Sequence, residues 1–307
     1  MKQLIRQLSD PGCFQENRLD PHSDHIVYAP EDDGTDSSFR HSLNGSWKFY
    51  YARSFREMPE GFESPDRDVS GWDDIRVPGH IQLQGYDSPQ YVNTQYPWDG
   101  REKVDPGEIP VEFNPVASYV TEFVLPDHFR GRRVFISFQG VESCFRMWLN
   151  GVYVGFASDS FTPSEFELTP YLKEQENRLA VQVYKWYSGS WLEDQDFFRF
   201  SGIFRDVYLY AVPQQHVWDV RTEADYSADG GYIRLTMTGL TQGASLTLEL
   251  TDPDGKLLET AQMQAGSSDP VSCSFSLSEP RLWSAEMPEL YRVKVTVCDS
   301  RGKPLEW

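Results

Sequence analysis

Glu193, Asp194, Gln195 and Asp196 stand side by side in GSWLEDQDFFRFSGIFRDV, residues 189–207. Four adjacent polar groups between aromatic residues suit neither an alternating nor an apolar strand. One chemistry open to them is acid/base work on a glycoside. Retention needs two carboxylates facing each other across the sugar, about 5–5.5 Å apart. Neighbours on a strand point to opposite faces, so adjacent carboxylates rarely meet that demand. A second is metal binding: Glu193 and Asp196 are hard oxygen ligands suited to Na⁺, Mg²⁺ or Ca²⁺. Their spacing matches no self-sufficient loop, so this stretch supplies one or two ligands at most. A third is a sugar clamp. Carboxylates accept strong charge-assisted hydrogen bonds from hydroxyls, and Trp186, Trp191, Phe197 and Phe198 offer aromatic faces to the C–H side of a pyranose. Against the clamp stands a structural loop whose charges pair with Arg199 and Arg205, since buried charges need partners in any case.

HIQLQGYDSPQYVNTQYPWDG, residues 80–100, raises the same question. Asn93 could present a donor and an acceptor to one hydroxyl, and a loop this long in a compact domain is more often functional than idle. Other chemistries find no support. His41 and His80 are isolated, and no GxSxG, HExxH, GxGxxG or P-loop pattern occurs. No catalytic residue is assigned within the chain.

The elements that must hold these loops read as strands. Segments 47–51, 119–125, 132–138, 145–149, 152–156, 179–183 and 204–212 carry strand signals, and Asn150-Gly151 is a strong hairpin signal. Helical period is nearly absent; turns are expected at the N-terminus, at Pro163-Ser164-Glu165 and over 169–173. Long aromatic loops between many strands predict a jelly-roll β-sandwich over 41–213. After Pro213-Gln214-Gln215 the loops shorten. Ile233, Leu235 and Met237, then Leu246, Leu248 and Leu250, then Val293, Val295 and Val297, alternate with polar residues, and Asp254-Gly255 marks a turn. An immunoglobulin-like β-sandwich without a disulfide is expected over 214–307. Residues 1–40 lack a core and predict an extended arm lying on another surface. The end, Arg301 to Trp307, reads as an unfinished hairpin, which suggests a longer parent.

The 307 residues allow about two domains. With 39% hydrophobic and 14% aromatic residues the chain can fill more than one core. The formal net charge of −19 should repel phosphate backbones and anionic headgroups, so neither nucleic acid nor membrane is an expected partner. No apolar run is long enough to span a bilayer, and MKQLIRQLSDPGC has no signal-peptide core. Cys13, Cys144, Cys273 and Cys298 are far apart, which predicts free buried thiols in a cytoplasmic protein. Asn44-Gly45-Ser46 reads as a turn rather than a glycosylation site.

SLNGSWKF, GYDSPQYVNTQYP, PSEFELTPYLKEQENRLAVQV, WLEDQDFFRFSGIFRDVYL and LWSAEMPELYRV, with RLDPHS in the arm, together resemble the N-terminal portion of the large bacterial β-galactosidases of glycoside hydrolase family 2. The likeness runs in order over 42–297. It departs at Ile81, where Trp is usual, and at YPWDG. The resemblance implies a jelly-roll sugar-binding domain and an immunoglobulin-like domain, followed in the family by a (β/α)₈ barrel that this chain lacks. The catalytic glutamates and the main Mg²⁺ site would be in that barrel. Asn93 and Asp196 would bind galactose from the jelly roll, and Asp196 would share a Na⁺ site. The implied whole enzyme is a retaining, homo-oligomeric β-galactosidase acting on lactose-like substrates. Rival expectations are another specificity of the family, β-glucuronidase or β-mannosidase, and a stand-alone carbohydrate-binding module.

Overall fold

The computed structural model describes residues 2–193, 196–266 and 270–307. The chain divides into two compact units. One comprises Met1–Asp20 and Arg40–Ala211, the other Pro21–Phe39 and Val212–Trp307.

The first unit is a jelly-roll sandwich. Its larger sheet runs in the order Gln15–Glu16, Val152–Ala157, Cys144–Leu149, Glu176–Tyr184, Val116–Val124, Gly45–Ala52, Asp73–Val77; the smaller runs Ser164–Glu167, Arg133–Phe138, Val207–Val212, Arg40–Ser42. Phe145, Met147, Leu149, Leu179, Val181 and Val183 line one face of the larger sheet and pack with Ile136, Phe138, Phe166 and Leu209 of the smaller. The Asn150-Gly151 hairpin forms as expected, with positive φ at both residues (54° and 83°) and Leu149 paired to Val152, the geometry a type I′ turn requires.

The central strands are buried on both faces, which blurs their alternation. Cys144 and Tyr184 point away from the main core, and Leu4 and Leu8 of the helix Lys2–Ser9 cover them. These leucines are four residues apart and so share one helix face. The turn expected at Pro163-Ser164-Glu165 is instead the start of a strand, Ser164–Glu167, paired to Arg133–Phe138. Phe166 drops fully into the core there, and burying it outweighs the local turn preference. The expected strand over 204–212 starts later, at Val207, and Val207–Val212 belongs to the smaller sheet; before it, Gly202–Ile203 pairs with Val141–Glu142.

The second unit is an immunoglobulin-like sandwich. Asp219–Ser227, Gly230–Thr238 and Val271–Leu277 form one sheet; Leu257–Gln264, Ser245–Thr251, Arg292–Cys298 and Pro304–Glu306 form the other. Ile233, Leu235, Met237, Leu246, Leu248, Leu250 and Val297 fill its core, in the parity read from sequence. Residues 21–39 belong to this unit: Tyr28 and Trp307 exchange backbone hydrogen bonds at 2.8 and 3.0 Å, and their rings stack at 4.5 Å. All the cysteines are free, but only Cys144 and Cys273 are buried; Cys13, in the loop after the helix Lys2–Ser9, and Cys298, at the end of the strand Arg292–Cys298, are half-buried. Among the described residues no helix is long and apolar enough to cross a membrane.

Candidate functional site

The candidate site grows from the end of the strand Glu176–Tyr184. Asn114 catches the chain as it leaves the sheet: its Oδ1 accepts from the Trp186 amide at 3.0 Å, and its Nδ2 donates to the Trp186 carbonyl at 2.8 Å. A 3-10 turn, Ser188–Trp191, follows, with Ser190 and Tyr187 capping each other. Gly189 then accepts from the Glu193 amide at 2.8 Å. The polar cluster therefore begins on a turn, not on a strand.

Its ends diverge. The Glu193 carboxylate lies 2.6 Å from the Tyr187 hydroxyl, which is also 2.8 Å from the Ser158 carbonyl oxygen. Burial pushes the Glu193 carboxyl above its usual range, against the bond from Tyr187. Asp196 is exposed and accepts a hydrogen bond from the Tyr91 hydroxyl. Asp194 and Gln195, between them, lie outside the described residues.

After Asp196 the chain becomes the strand Phe197–Arg199, paired antiparallel with Gln90–Val92. The register is Phe197 with Val92, Phe198 with Tyr91 and Arg199 with Gln90. Asn93 follows Val92 and Asp196 precedes Phe197, so these two residues stand across from each other one step beyond the ladder. Side chains two apart on a strand share a face. Tyr91, Asn93, Asp196 and Phe198 thus share one face of the ribbon, and all four are exposed. Arg199, of opposite parity, is buried.

The aromatic faces sort differently from the sequence expectation. Trp186 is only 1% exposed and is a core residue, packed against Trp98 and Phe113. Trp191 packs on Tyr96 and Trp98 and donates Nε1–H to the Glu108 carbonyl at 2.6 Å. Among the described side chains, which do not include that of Phe197, the open pair is Phe198 (55% exposed) and Tyr91 (49%), with ring centroids 5.5 Å apart. Sequence reasoning passed over Tyr91. Its parity with Asn93 in YVN was the available signal, but its meaning required the pairing register. Arg205 Nη1 donates to the Phe161 carbonyl at 2.8 Å.

The first unit also holds a buried ionic cluster. Lys185 Nζ meets Asp87 Oδ2 at 2.5 Å, with side chains 1% and 15% exposed. Gln82 Nε2 also donates to Asp87 at 3.1 Å and to Ser201 Oγ at 2.8 Å. Burial works against the Asp87 charge, but Lys185 outweighs it and holds the carboxyl below its usual range. Glu142 is the less satisfied member. Burial raises its pKa to about 7, although Lys185 and Arg199 pull it down, and Glu193 adds to the rise. Ile81, at the family departure, is a buried core residue.

Chemically, the exposed face offers a carboxylate, an amide and a neighbouring aromatic pair: hydroxyl acceptors, a donor and apolar cover. Glu193 and Asp196 serve different surroundings and are not an opposed catalytic pair. Among the described residues no group of three or more His, Cys, Asp or Glu could hold a metal ion. Asp196 is one hard oxygen donor, which fits a shared alkali-cation site and not a complete one.

A jelly roll that displays a carboxylate, an amide and an aromatic pair at a ribbon edge, joined to an immunoglobulin-like sandwich, is an architecture found in the accessory domains of carbohydrate-active enzymes. Residues 40–213 match the sugar binding domain of glycosyl hydrolases family 2, and residues 215–306 match a further glycosyl hydrolases family 2 domain. The chain belongs to glycosyl hydrolase family 2. It is 48% identical to a β-galactosidase of Halalkalibacterium halodurans, over 98% of this chain and 30% of that protein. It is 41% identical to a β-galactosidase large subunit of Leuconostoc lactis, over 100% of this chain and 51% of that one. The chain thus spans about half or less of the length of these curated relatives. The fold also matches solved structures of a Bacteroides uniformis β-glucuronidase (TM-score 0.67, 23% identity, 87% of this chain and 31% of that one) and a Bifidobacterium dentium β-glucuronidase (0.68, 16%, 89% and 48%). At those identities the likeness concerns the fold alone.

Proposed function

We propose that this chain is the non-catalytic front of a retaining β-galactosidase and supplies Asn93 and Asp196 to a sugar site completed by a catalytic barrel in the same full-length protein. The observation that carries the reading is the strand register that sets Asn93 opposite Asp196 on an exposed face. The β-galactosidases matched over nearly the whole chain support the specificity. In this reading Asn93 and Asp196 bind galactosyl hydroxyls, and Asp196 is one ligand of a shared Na⁺. The nucleophile, the acid/base carboxylate and the Mg²⁺ site belong to the barrel, where two opposed carboxylates cleave the bond through a covalent glycosyl-enzyme. The whole enzyme is cytoplasmic and homo-oligomeric, and the immunoglobulin-like domain starts near Gln214.

The test is a substrate panel on the whole gene product. Nitrophenyl β-galactoside should be turned over far faster than the β-glucuronide or β-mannoside. A preference for either of the latter would sink the specificity. Calorimetry of the isolated 307-residue chain should detect no galactose binding in the micromolar range. Tight binding would instead favour a stand-alone carbohydrate-binding module.

A further inference from the structure

We infer that Tyr91 is the positioning residue for Asp196: its hydroxyl holds the carboxylate in one orientation, so that the remaining oxygen faces the sugar hydroxyl or the cation. The inference rests on the proposed role of Asp196. Tyr91 lies directly across from Phe198 in the ribbon. Asp196 is two residues before Phe198, on the same face and therefore diagonal to Tyr91. Diagonal neighbours in an antiparallel pair are about 7–8 Å apart, which a tyrosine can span and a short polar residue cannot. The bond Tyr91 makes is the one that reach allows, from phenol to carboxylate. The Phe198 ring packs against the Tyr91 ring at 5.5 Å and limits its swing.

Three features make the contact more than a surface hydrogen bond. Asp196 stands one residue outside the Phe197–Arg199 ladder, so the ladder's own hydrogen bonds do not fix its side chain; the Tyr91 bond supplies that restraint. A phenol donates without bringing a positive charge. An arginine in its place would neutralise the carboxylate and weaken its pull on a cation or a hydroxyl. An ionised carboxylate has about four acceptor sites, so a single donor leaves most of them for the ligand.

The experiment is a double-mutant cycle in the whole enzyme with Tyr91→Phe and Asp196→Asn. Tyr91→Phe keeps the ring, the Phe198 contact and the strand pairing, and loses only the hydroxyl. It should lower kcat/KM for nitrophenyl β-galactoside by about tenfold and raise the Na⁺ concentration needed for half-activation, with the melting temperature unchanged. In the Asp196→Asn background the same change should cost less than about twofold, because the group it orients is gone. If Asp196→Asn is damaging while Tyr91→Phe stays within twofold of wild type, or if the two effects multiply, the positioning role is wrong and the sugar site stands. If Asp196→Asn itself leaves turnover intact, the site reading fails and takes the inference with it.

Discussion

Glu193 and Asp196, three residues apart in one acidic cluster, face different surroundings: Glu193 is turned in against Tyr187 at 2.6 Å, whereas Asp196 is exposed and bound by Tyr91. Their removal should therefore fail in different ways. Asp196→Ala in the whole enzyme should lower kcat/KM by roughly 10²-fold, the scale of a lost charge-assisted contact of ~3 kcal/mol. Galactose inhibition and Na⁺ activation should weaken with it, while the denaturation midpoint stays put. Glu193→Ala should leave the sugar contacts and destabilise the first unit by about 1–3 kcal/mol, because Tyr187 loses a buried partner. Kinetics and urea unfolding on the two variants read both effects. A stability loss from Asp196→Ala without a kinetic one would reverse the assignment.

The Lys185–Asp87 pair should be expensive to break and cheap to replace. Asp87→Ala leaves the Lys185 ammonium buried without its 2.5 Å partner, a change worth about 3–5 kcal/mol. Lys185→Met with Asp87→Leu removes both charges and should recover most of that loss. Denaturant midpoints of the single and double variants measure it; a double variant no more stable than Asp87→Ala would mean the packing, not the charge, was at fault.

Glu142 should make the first unit less stable as pH rises. Its pKa is about 7 in the fold against an ordinary 4.5, so the folded state holds a proton that the unfolded state has released. Stability from this group is greatest below pH 4.5 and is lost as pH climbs through 7. Glu142→Gln cannot ionise. Relative to wild type it should gain roughly 3 kcal/mol between pH 4.5 and pH 8, the linkage equivalent of that shift. Melting curves at both ends of the range test the sign: a gain toward acid would contradict it.

The segment 21–39 should loosen in acid. His25 Nε2 lies 3.0 Å from the Val217 carbonyl oxygen, and its Nδ1 lies 2.9 Å from Ser23 Oγ and 3.2 Å from the Ser23 carbonyl oxygen, contacts that favour the cation but are outweighed by burial. Burial, then the charges of His216 and His22, lower its pKa. His216 is bound to Glu306 at 2.8 Å, and Asp219 is occupied by the Ser23 amide, so neither acid is free to pair with a His25 cation. With the folded pKa depressed, the attachment is fully stable above pH 6.5 and weakens as pH falls below it. Limited proteolysis within 21–39 should rise between pH 7.5 and pH 5, and rise less in His25→Gln, which keeps a donor but no titration. Equal pH responses would rule out His25 as the sensor.

What the sequence determined by itself is the local part of the design. Period-2 alternation at Ile233, Leu235 and Met237 and the Asn150-Gly151 turn specify strands and a hairpin through contacts a few residues long. The quoted strings also suffice to recognise the family and to single out Asn93 and Asp196. Which cluster carboxylate faces solvent was not legible. That depends on Asp196 meeting Tyr91, 105 residues away, and on the register that gives Tyr91, Asn93, Asp196 and Phe198 one parity. Trp186 misled for the same reason: an aromatic beside a polar cluster looks the same in sequence whether it faces a ligand or the core. The strand at Ser164–Glu167 overrode a turn-like sequence because Phe166 had a core to fill. Alternation is a property of one strand, but exposure is a property of what covers its other face, and only chain closure over long separations decides that.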